Sequence, residues 1–319
     1  MHFMAMEPAQ APITGVCFAV SRPLGVVVAL KYLSSTVFAA PWLDVFTLGG
    51  GLHLTWSHGF ELTCVARSLA QLAGPVMFWS FMDFTSDNCL AVAGADAVAL
   101  FDVTARTHVG FVAPPGMLRR PCVVSGSAAG FVAVCDQADG LVRVFRRNTP
   151  SLAWEVAHVL GRAPVSGIVI KFPEADAAGG TVAVLTWDAE HMCSKITTCC
   201  LATGARIGDP VHTFQTPAME QYQDGWLVWA AVPCSALVRI PKCGGATATT
   251  CEQAVPFPSP ASFLRWCGDG LLVAKAVRSP YDGDTFELHA LVALSVERVE
   301  WMAVVARAVM KRHSRVGVS

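Results

Sequence analysis

The chain has 319 residues, of which 53% are hydrophobic and 15% are charged, and its formal net charge at pH 7 is −1. A chain so close to neutral has no overall attraction to nucleic acid or to anionic lipid, and we expect neither as a partner. Long stretches without a charged side chain, such as residues 45–60 and 68–82, contain Gly, Pro or His and fall short of the ~18 apolar residues of a membrane-spanning helix. The composition instead suits sheets that are buried on both faces.

The N-terminal residues and the cysteines bear on the cellular location. Residues 1–21 contain neither Lys nor Arg and therefore lack the basic start of a secretory signal. Many of the 12 cysteines lie in strand-like apolar runs, as Cys17, Cys64, Cys89 and Cys135 do. A free cysteine in such a run behaves as a small hydrophobic side chain. We therefore expect an intracellular protein, and a cytoplasmic location in particular.

Residues 82–112 contain the clearest copy of a strand–turn–strand unit that recurs along the chain. Two apolar runs, residues 89–93 and 97–101, flank a polar turn at residues 94–96, and this pattern predicts two antiparallel strands. Residues 108–112 predict a further strand. A sheet of this size needs neighbours to cover its faces, and the chain supplies them by repeating the unit.

The same pattern of strand, turn and strand recurs along the chain. Residues 130–135 and 141–145 flank a second acidic turn at residues 136–140. In the first unit, residues 52–69 either add an outer strand with an elaborated loop or begin a further, poorly formed unit. The average spacing of the units is close to the period of a four-stranded propeller blade. They begin near residues 13, 76, 119, 164, 219 and 261.

Two segments carry a resemblance to known repeats. DNCLAVAGADAVALFDV, which begins at Asp87, and GFVAVCDQADGLVRVFRR, which begins at Gly130, resemble the middle hairpin of WD40 and NHL blades. The units lack the Gly-His dipeptide of WD40 blades, and the lone Trp-Asp pair, Trp187 and Asp188, stands at a different place in its unit. The resemblance implies an all-β propeller, with six blades favoured and seven as the alternative, in a single domain over residues 1–296.

The last segment, residues 297–319, is predicted to be a C-terminal helix or a closing strand, followed by a basic tail. The apolar residues between positions 299 and 310 fit one face of a helix, with Glu297 and Glu300 at its start and basic residues at its end, as the helix dipole prefers. A helix is the favoured prediction. If the segment is a strand, it is the outer strand of the last blade, and the ring must close near the N-terminus.

The chemistry of the sequence gives no strong sign of a metal, cofactor or catalytic site. The densest set of metal-ligating residues is His191, Cys193, Cys199 and Cys200, but no Cys-x-x-Cys pair occurs. In a strand, Cys199 and Cys200 point to opposite faces. We therefore predict no metal site, no cofactor and no catalytic residue, and we interpret the turn aspartates, Asp96, Asp136 and Asp139 among them, as structural.

The predicted function is a non-catalytic scaffold for protein–protein interaction, because the closed sheets of a propeller form a rigid disc with variable loops on two faces and the sequence shows no catalytic set of residues.

 The interface candidates are Trp56, Trp229, His53 and His58, because His53 and His58 flank a tryptophan after three glycines and both tryptophans fall near loop ends. We expect protein partners within a larger assembly, since so apolar a chain is expected to bury at least one face. The alternative is a metal-dependent, lactonase-like or esterase-like propeller enzyme. It requires at least three inward-facing carboxylates or amides from different blades around a metal in the central channel.

Overall fold

The structure is a computed structural model, and its strands cover most of the repeated units found in the sequence. It describes residues 13–33, 38–39, 41–49, 54–65, 67–68, 81–127, 129–148, 152–162, 169–172, 180–188, 190, 193–213, 219–222, 225–230, 236–241, 254–256, 261–266, 270–279, 283–293 and 301–309. No helix within these residues is long and apolar enough to cross a membrane.

The described strands form six four-stranded antiparallel sheets, and each sheet takes its strands from one continuous stretch of chain. The first sheet contains, from inner to outer strand, β1 (Ile13–Ser21), β2 (Val26–Leu33), β4 (Trp42–Leu48) and β5 (Leu54–Glu61). A two-stranded ribbon of β3 (Phe38–Ala39) and β6 (Arg67–Ser68) accompanies it, and a short 3₁₀ helix, Thr63–Val65, follows β5. The second sheet contains β7 (Met82–Phe84), β8 (Leu90–Ala93), β9 (Val98–Asp102) and β10 (Thr107–Ala113).

The remaining four sheets follow the same order from inner to outer strand. The third contains β11 (Pro121–Gly126), β12 (Phe131–Asp136), β13 (Leu141–Arg147) and β14 (Trp154–Arg162). The fourth contains β15 (Val169–Lys171), β16 (Thr181–Asp188), β17 (Cys193–Cys200) and β18 (Val211–Thr213). The fifth contains β19 (Met219–Tyr222), β20 (Gly225–Ala230), β21 (Ala236–Pro241) and β22 (Ala254–Pro256). The sixth contains β23 (Ala261–Trp266), β24 (Gly270–Ser279), β25 (Gly283–Ala293) and β26 (Trp301–Val309).

The inner strands place the sheets side by side in chain order. β1 contacts β7, β7 contacts β11, β11 contacts β15, β15 contacts β19, and β19 contacts β23. The first and last sheets also meet, because β1 contacts β23 and β25, and β5 contacts β26. Antiparallel sheets arranged radially in this way form a β-propeller. The predicted all-β propeller is therefore confirmed.

The hairpins that were clearest in the sequence lie where they were predicted. β8 pairs with β9 around the turn at residues 94–96, and β12 pairs with β13 around the turn at residues 136–140. In the first sheet, β5 is the outer strand, so residues 52–69 do not begin a further unit.

The favoured helix at residues 299–310 is wrong. The chain instead forms β26, which pairs antiparallel with β25, with Ala293 opposite Trp301 and Leu291 opposite Ala303. A short apolar run fits both a helical face and a buried strand, so periodicity alone did not separate the two. The strand is favoured here because it bonds the edge of β25, whose backbone groups a helix would leave unpaired. The closing-strand alternative is the one that the structure has.

The core lies between the sheets and explains the apolar composition. Every residue of β8 is buried, as are five of the six residues of β12. Strands with both faces covered read as continuous apolar runs rather than as alternating patterns. Large side chains such as Leu43, Met82, Leu90 and Phe145 are fully enclosed at 0% exposure.

Candidate protein-interaction surface

The outer strand of the first sheet carries an exposed tryptophan beside a β-bulge. Trp56 lies opposite Phe46 and His58 lies opposite Val45, so Ser57 is an extra residue in β5. A bulge of this kind bends the strand and redirects the neighbouring side chains. Trp56 is 47% exposed. A large aromatic side chain is therefore presented at the rim of this sheet.

The outer strand of the second sheet has a bulge at an exposed valine. His108 lies opposite Phe101 and Gly110 opposite Leu100, so Val109 has no partner residue in β9. Gly110 has a φ of 152°, a value that L side chains rarely adopt. Val109 is exposed, although it belongs to a strand whose last two residues are buried.

The outer strand of the third sheet repeats the arrangement with two valines. Val156 lies opposite Phe145 and His158 opposite Val144, so Ala157 is the extra residue in β14. Val159 lies opposite Arg143. Because Arg143 and Phe145 are two residues apart in one strand, their partners Val159 and Val156 lie on the same side of the sheet. Without the extra residue, two positions separated by three would face opposite sides.

We call Trp56, Val109, Val156 and Val159 the rim surface. They lie on the outer strands of three consecutive sheets, and β10 contacts β14 directly. A bulged edge is a poor template for a further strand, because its backbone groups are out of register. The rim surface therefore offers apolar side chains to a partner, but not a regular edge to which a strand can be added.

The four predicted interface residues have different positions. Trp56 belongs to the rim surface. His58 is half-buried, and its Nε2 lies 3.1 Å from the carbonyl oxygen of Val103, while its Nδ1 lies 3.0 Å from Oγ of Ser57. His58 therefore links the first sheet to the second. Trp229 lies in β20 with its side chain outside the described part of the chain, and His53 lies outside the described residues.

Sequence reasoning missed Val109, Val156 and Val159. Each is an ordinary valine in a predicted strand, and its exposure depends on an extra residue that shifts the register. The alternation of apolar and polar residues carried no visible sign of that shift. A valine that is exposed on an outer strand has the same residue type as a buried one, so the sequence contained no signal that separates them.

Asp136 and Asp139 have the structural role predicted for the turn aspartates. The two carboxylate oxygens of Asp136 accept hydrogen bonds from the backbone N–H groups of Arg119, Arg120 and Ala138. Asp139 accepts from the backbone N–H of Leu141, and its hydrogen bond with Arg143 holds the pKa of Asp139 below its usual value. The carboxylates that close these turns are thus engaged with the chain itself.

A separate group of polar side chains lies in the fourth sheet. Asp188 ends β16, Cys193 begins β17, and His212 lies in β18. One ligand atom from each of these three residues lies within 4.8 Å of the other two, and Sγ of Cys193 is 3.5 Å from Nδ1 of His212. Partial burial raises the pKa of the Cys193 thiol, the negative charge of Asp188 raises it further, and Lys195 opposes the shift.

Of the three metal-ligating cysteines noted in the sequence, all of which the structure describes, one belongs to this group. Cys193 is a member, whereas Cys199 is buried farther along β17, and Cys200 interacts with Thr203, whose hydrogen bond lowers the pKa of the Cys200 thiol. His191 lies outside the described residues. Asp188 and His212 were not recognised as partners, because only the register of three strands brings them to Cys193.

Comparison with known proteins supports the fold. No family model and no curated protein matches the sequence. The hydrazine synthase of Kuenenia stuttgartiensis matches with a TM-score of 0.54 and 9% identity, covering 92% of this chain and 80% of that one. A proposed 6-phosphogluconolactonase from Bacteroides uniformis matches with a TM-score of 0.53 and 11% identity, covering 92% of this chain and 84% of that one. At these identities the two likenesses show a shared fold alone.

Proposed function

We propose that the chain is a non-catalytic, six-bladed propeller that serves as a scaffold for protein–protein interaction and binds a protein partner through the rim surface. The six described sheets are its blades, in one domain that β26 completes. The observation that carries the proposal is the repeated bulge, which exposes apolar side chains on the outer strands of three consecutive sheets. Cys17, Cys122 and Cys135 do not form disulfide bonds, which suits the reducing interior of a cell.

The rim surface has the features of an interface in which side chains provide the binding energy. A tryptophan near half exposure is the residue type most enriched among residues that dominate binding. Exposed valines also lie on the outer strands of the second and third sheets. Exposed apolar side chains of this kind favour a folded protein partner that has a complementary apolar patch.

The test compares variants of the rim surface with a control in which another exposed apolar residue, outside the rim surface, is also replaced by aspartate. Val109→Asp and Val156→Asp, combined in one chain, place charges on the rim surface without altering a buried residue. Ile207→Asp is the matched control, because Ile207 is 48% exposed but belongs to the turn that follows β17. Tagged chains are expressed in the cells of origin, bound proteins are quantified, and the affinity of each identified partner is measured with purified components.

We expect the rim variant to weaken the partner at least about tenfold, which corresponds to ~1.4 kcal/mol, while Ile207→Asp binds as the wild type does. Trp56→Ala is expected to have a similar effect, because truncation of a central aromatic often costs about 2 kcal/mol or more. Equal binding by the wild type and the rim variant would contradict the proposal. Circular dichroism and thermal melting check that each variant keeps the fold.

A metal-dependent hydrolase of the lactonase or esterase class is the second candidate, and the likeness to a proposed 6-phosphogluconolactonase favours it. It requires ligands from several sheets around the channel, whereas the group that the described residues bring together comes from the fourth sheet alone. Ester and lactone substrates, assayed with and without Zn²⁺ or Ca²⁺, separate the two proposals. Metal-dependent turnover that survives loss of the rim surface would favour the hydrolase.

A further inference from the structure

The register of the fourth sheet brings three different ligand types to one side. Asp188 lies directly opposite Cys193 in the pairing of β16 with β17. His212 lies directly opposite Lys195 in the pairing of β17 with β18. Cys193 and Lys195 are two residues apart in one strand and share a face, so Asp188, Cys193 and His212 also share it. A carboxylate, a thiol and an imidazole therefore converge from three neighbouring strands.

The distances fit the coordination geometry of zinc. Typical bonds of 2.3 Å to sulfur and 2.0–2.1 Å to nitrogen, at a tetrahedral angle, separate the two ligand atoms by about 3.6 Å. The measured distance from Sγ of Cys193 to Nδ1 of His212 is 3.5 Å. All three ligand atoms lie within 4.8 Å of one another, so small side-chain rotations bring the carboxylate to the same separation.

The arrangement differs from that of a catalytic triad. In a triad, the acid contacts the side of the base that faces away from the nucleophile, so the three groups form a line. Here the carboxylate lies close to the thiol as well as to the imidazole, and the three ligand atoms surround a common point. A divalent cation at the common point would contact all three ligand atoms.

We propose that Asp188, Cys193 and His212 form a Zn²⁺ site with three protein ligands, leaving one coordination position for water or for a group supplied by a partner. Mixed sulfur, nitrogen and oxygen donors select zinc over Mg²⁺ or Ca²⁺, which prefer oxygen ligands alone. The site crosslinks three strands at the edge of the fourth sheet and is separate from the rim surface. It does not depend on the proposed scaffold function.

One charged neighbour opposes the cation. Lys195 lies on the same face as the three ligands, directly opposite His212. Its ammonium group repels a bound metal ion, but its long and flexible side chain can turn away from it. Lys195→Met retains much of the apolar side chain and removes the charge. We expect this variant to bind Zn²⁺ about two- to fivefold more tightly than the wild type.

The experiment titrates the full chain, freed of metal by a chelator, with Zn²⁺ alone and follows heat release and thermal stability. We expect one Zn²⁺ per chain with a Kd below about 10 μM and a higher Tm in the presence of the ion. Co²⁺ replaces Zn²⁺ in a parallel titration, because a thiolate ligand gives a charge-transfer band that carboxylates and imidazoles do not. That band shows that a thiolate binds the metal, and its loss in Cys193→Ser together with its retention in Cys200→Ser assigns the thiolate to Cys193.

Matched variants decide whether the three residues form the site. Cys193→Ser, His212→Ala and Asp188→Asn are each expected to weaken binding by about 100-fold or more, since even residues that only orient ligands contribute 10–100-fold. Cys200→Ser is the control, because this cysteine lies at the other end of β17 and outside the group. Unchanged Zn²⁺ affinity in Cys193→Ser, loss of binding in Cys200→Ser, or a Co²⁺ spectrum without the thiolate band would each overturn the proposal. If Cys193→Ser unfolds, the Co²⁺ spectra of His212→Ala and Asp188→Asn decide the outcome, because loss of either proposed ligand must change the thiolate band while Cys200→Ser leaves it unchanged.

Discussion

Replacing Asp83 by alanine should weaken the contact between the second and third sheets. Asp83 lies in β7 and is 7% exposed. Its Oδ2 accepts hydrogen bonds from the backbone N–H of Gly126, at 3.1 Å, and from Oγ of Ser125, at 3.4 Å. Its Oδ1 accepts from the backbone N–H of Phe84 at 2.9 Å. The carboxylate therefore joins the inner strands of two neighbouring sheets.

The size of the effect follows from these bonds. The two shorter bonds, each with a charged acceptor, contribute about 1.5–3 kcal/mol apiece, and their donors are left without this acceptor in Asp83→Ala. Relief from the cost of burying a carboxylate offsets part of the loss, so we expect a net destabilisation of about 3 kcal/mol. For 319 residues the entropy of unfolding is about 0.7 kcal/mol/K, and the Tm should fall by about 4 °C.

The control is a second carboxylate that links the same two sheets at the surface. Asp87 forms an ion pair with Arg147, and both side chains are 31% exposed. Exposed ion pairs contribute about 0–1 kcal/mol, so Asp87→Ala should lower the Tm by less than about 2 °C. Calorimetry and urea denaturation of both variants provide the measurement. If Asp83→Ala is no less stable than Asp87→Ala, the buried carboxylate does not hold the sheets together as described.

Three further predictions concern the junctions, the turns and the last strand. Gly126→Ala should lower the free energy of unfolding, measured by urea denaturation, by about 3 kcal/mol or more. The added Cβ would lie 1.8 Å from the backbone oxygen of Phe84, which is too close for any two atoms that are not bonded. A near-neutral change would contradict this close approach. The hydrogen bond with Arg143 lowers the pKa of Asp139, so this carboxylate should stabilise the fold above pH ~4 and lose that effect as the pH falls through its folded pKa. Asp139→Asn should therefore reduce the dependence of the unfolding free energy on acid pH by less than about 1 kcal/mol. An unchanged pH dependence would refute this prediction. Removing residues 297–319 should expose β25 and cause self-association in sedimentation experiments, whereas removing only the residues after β26 should not.

The sequence predicted the sheets where local signals were strong. The turns at residues 94–96 and 136–140 combine Gly or Asp with flanking apolar runs, and both hairpins formed there. At residues 299–310 the same apolar content fitted two periods, and pairing with β25 decided between them. Local patterns therefore located the hairpins, but tertiary pairing decided the ambiguous segment.

The candidate sites were harder to predict because they depend on register. Val156 and Val159 share a side only because Ala157 is unpaired, and a single extra residue leaves no mark on the pattern of residue types. Cys193 was noticed as a metal ligand, but His212 is 19 residues away and reaches it through a third strand. Trp56 was recognised because an isolated tryptophan beside glycines is conspicuous in the sequence itself.

The way in which the first and last sheets meet has a consequence for how the ring is made. Every other pair of neighbouring sheets is joined by the chain itself, whereas this junction is held by contacts of β1 with β23 and β25, and of β5 with β26. During synthesis the first of the six described sheets emerges before the other five, and its partner across the junction emerges after them. One flank of the first sheet stays exposed until then, and the junction has the longest loop to close of any in the ring. Ring closure is therefore the step most open to intervention by a chaperone or by a second nascent chain.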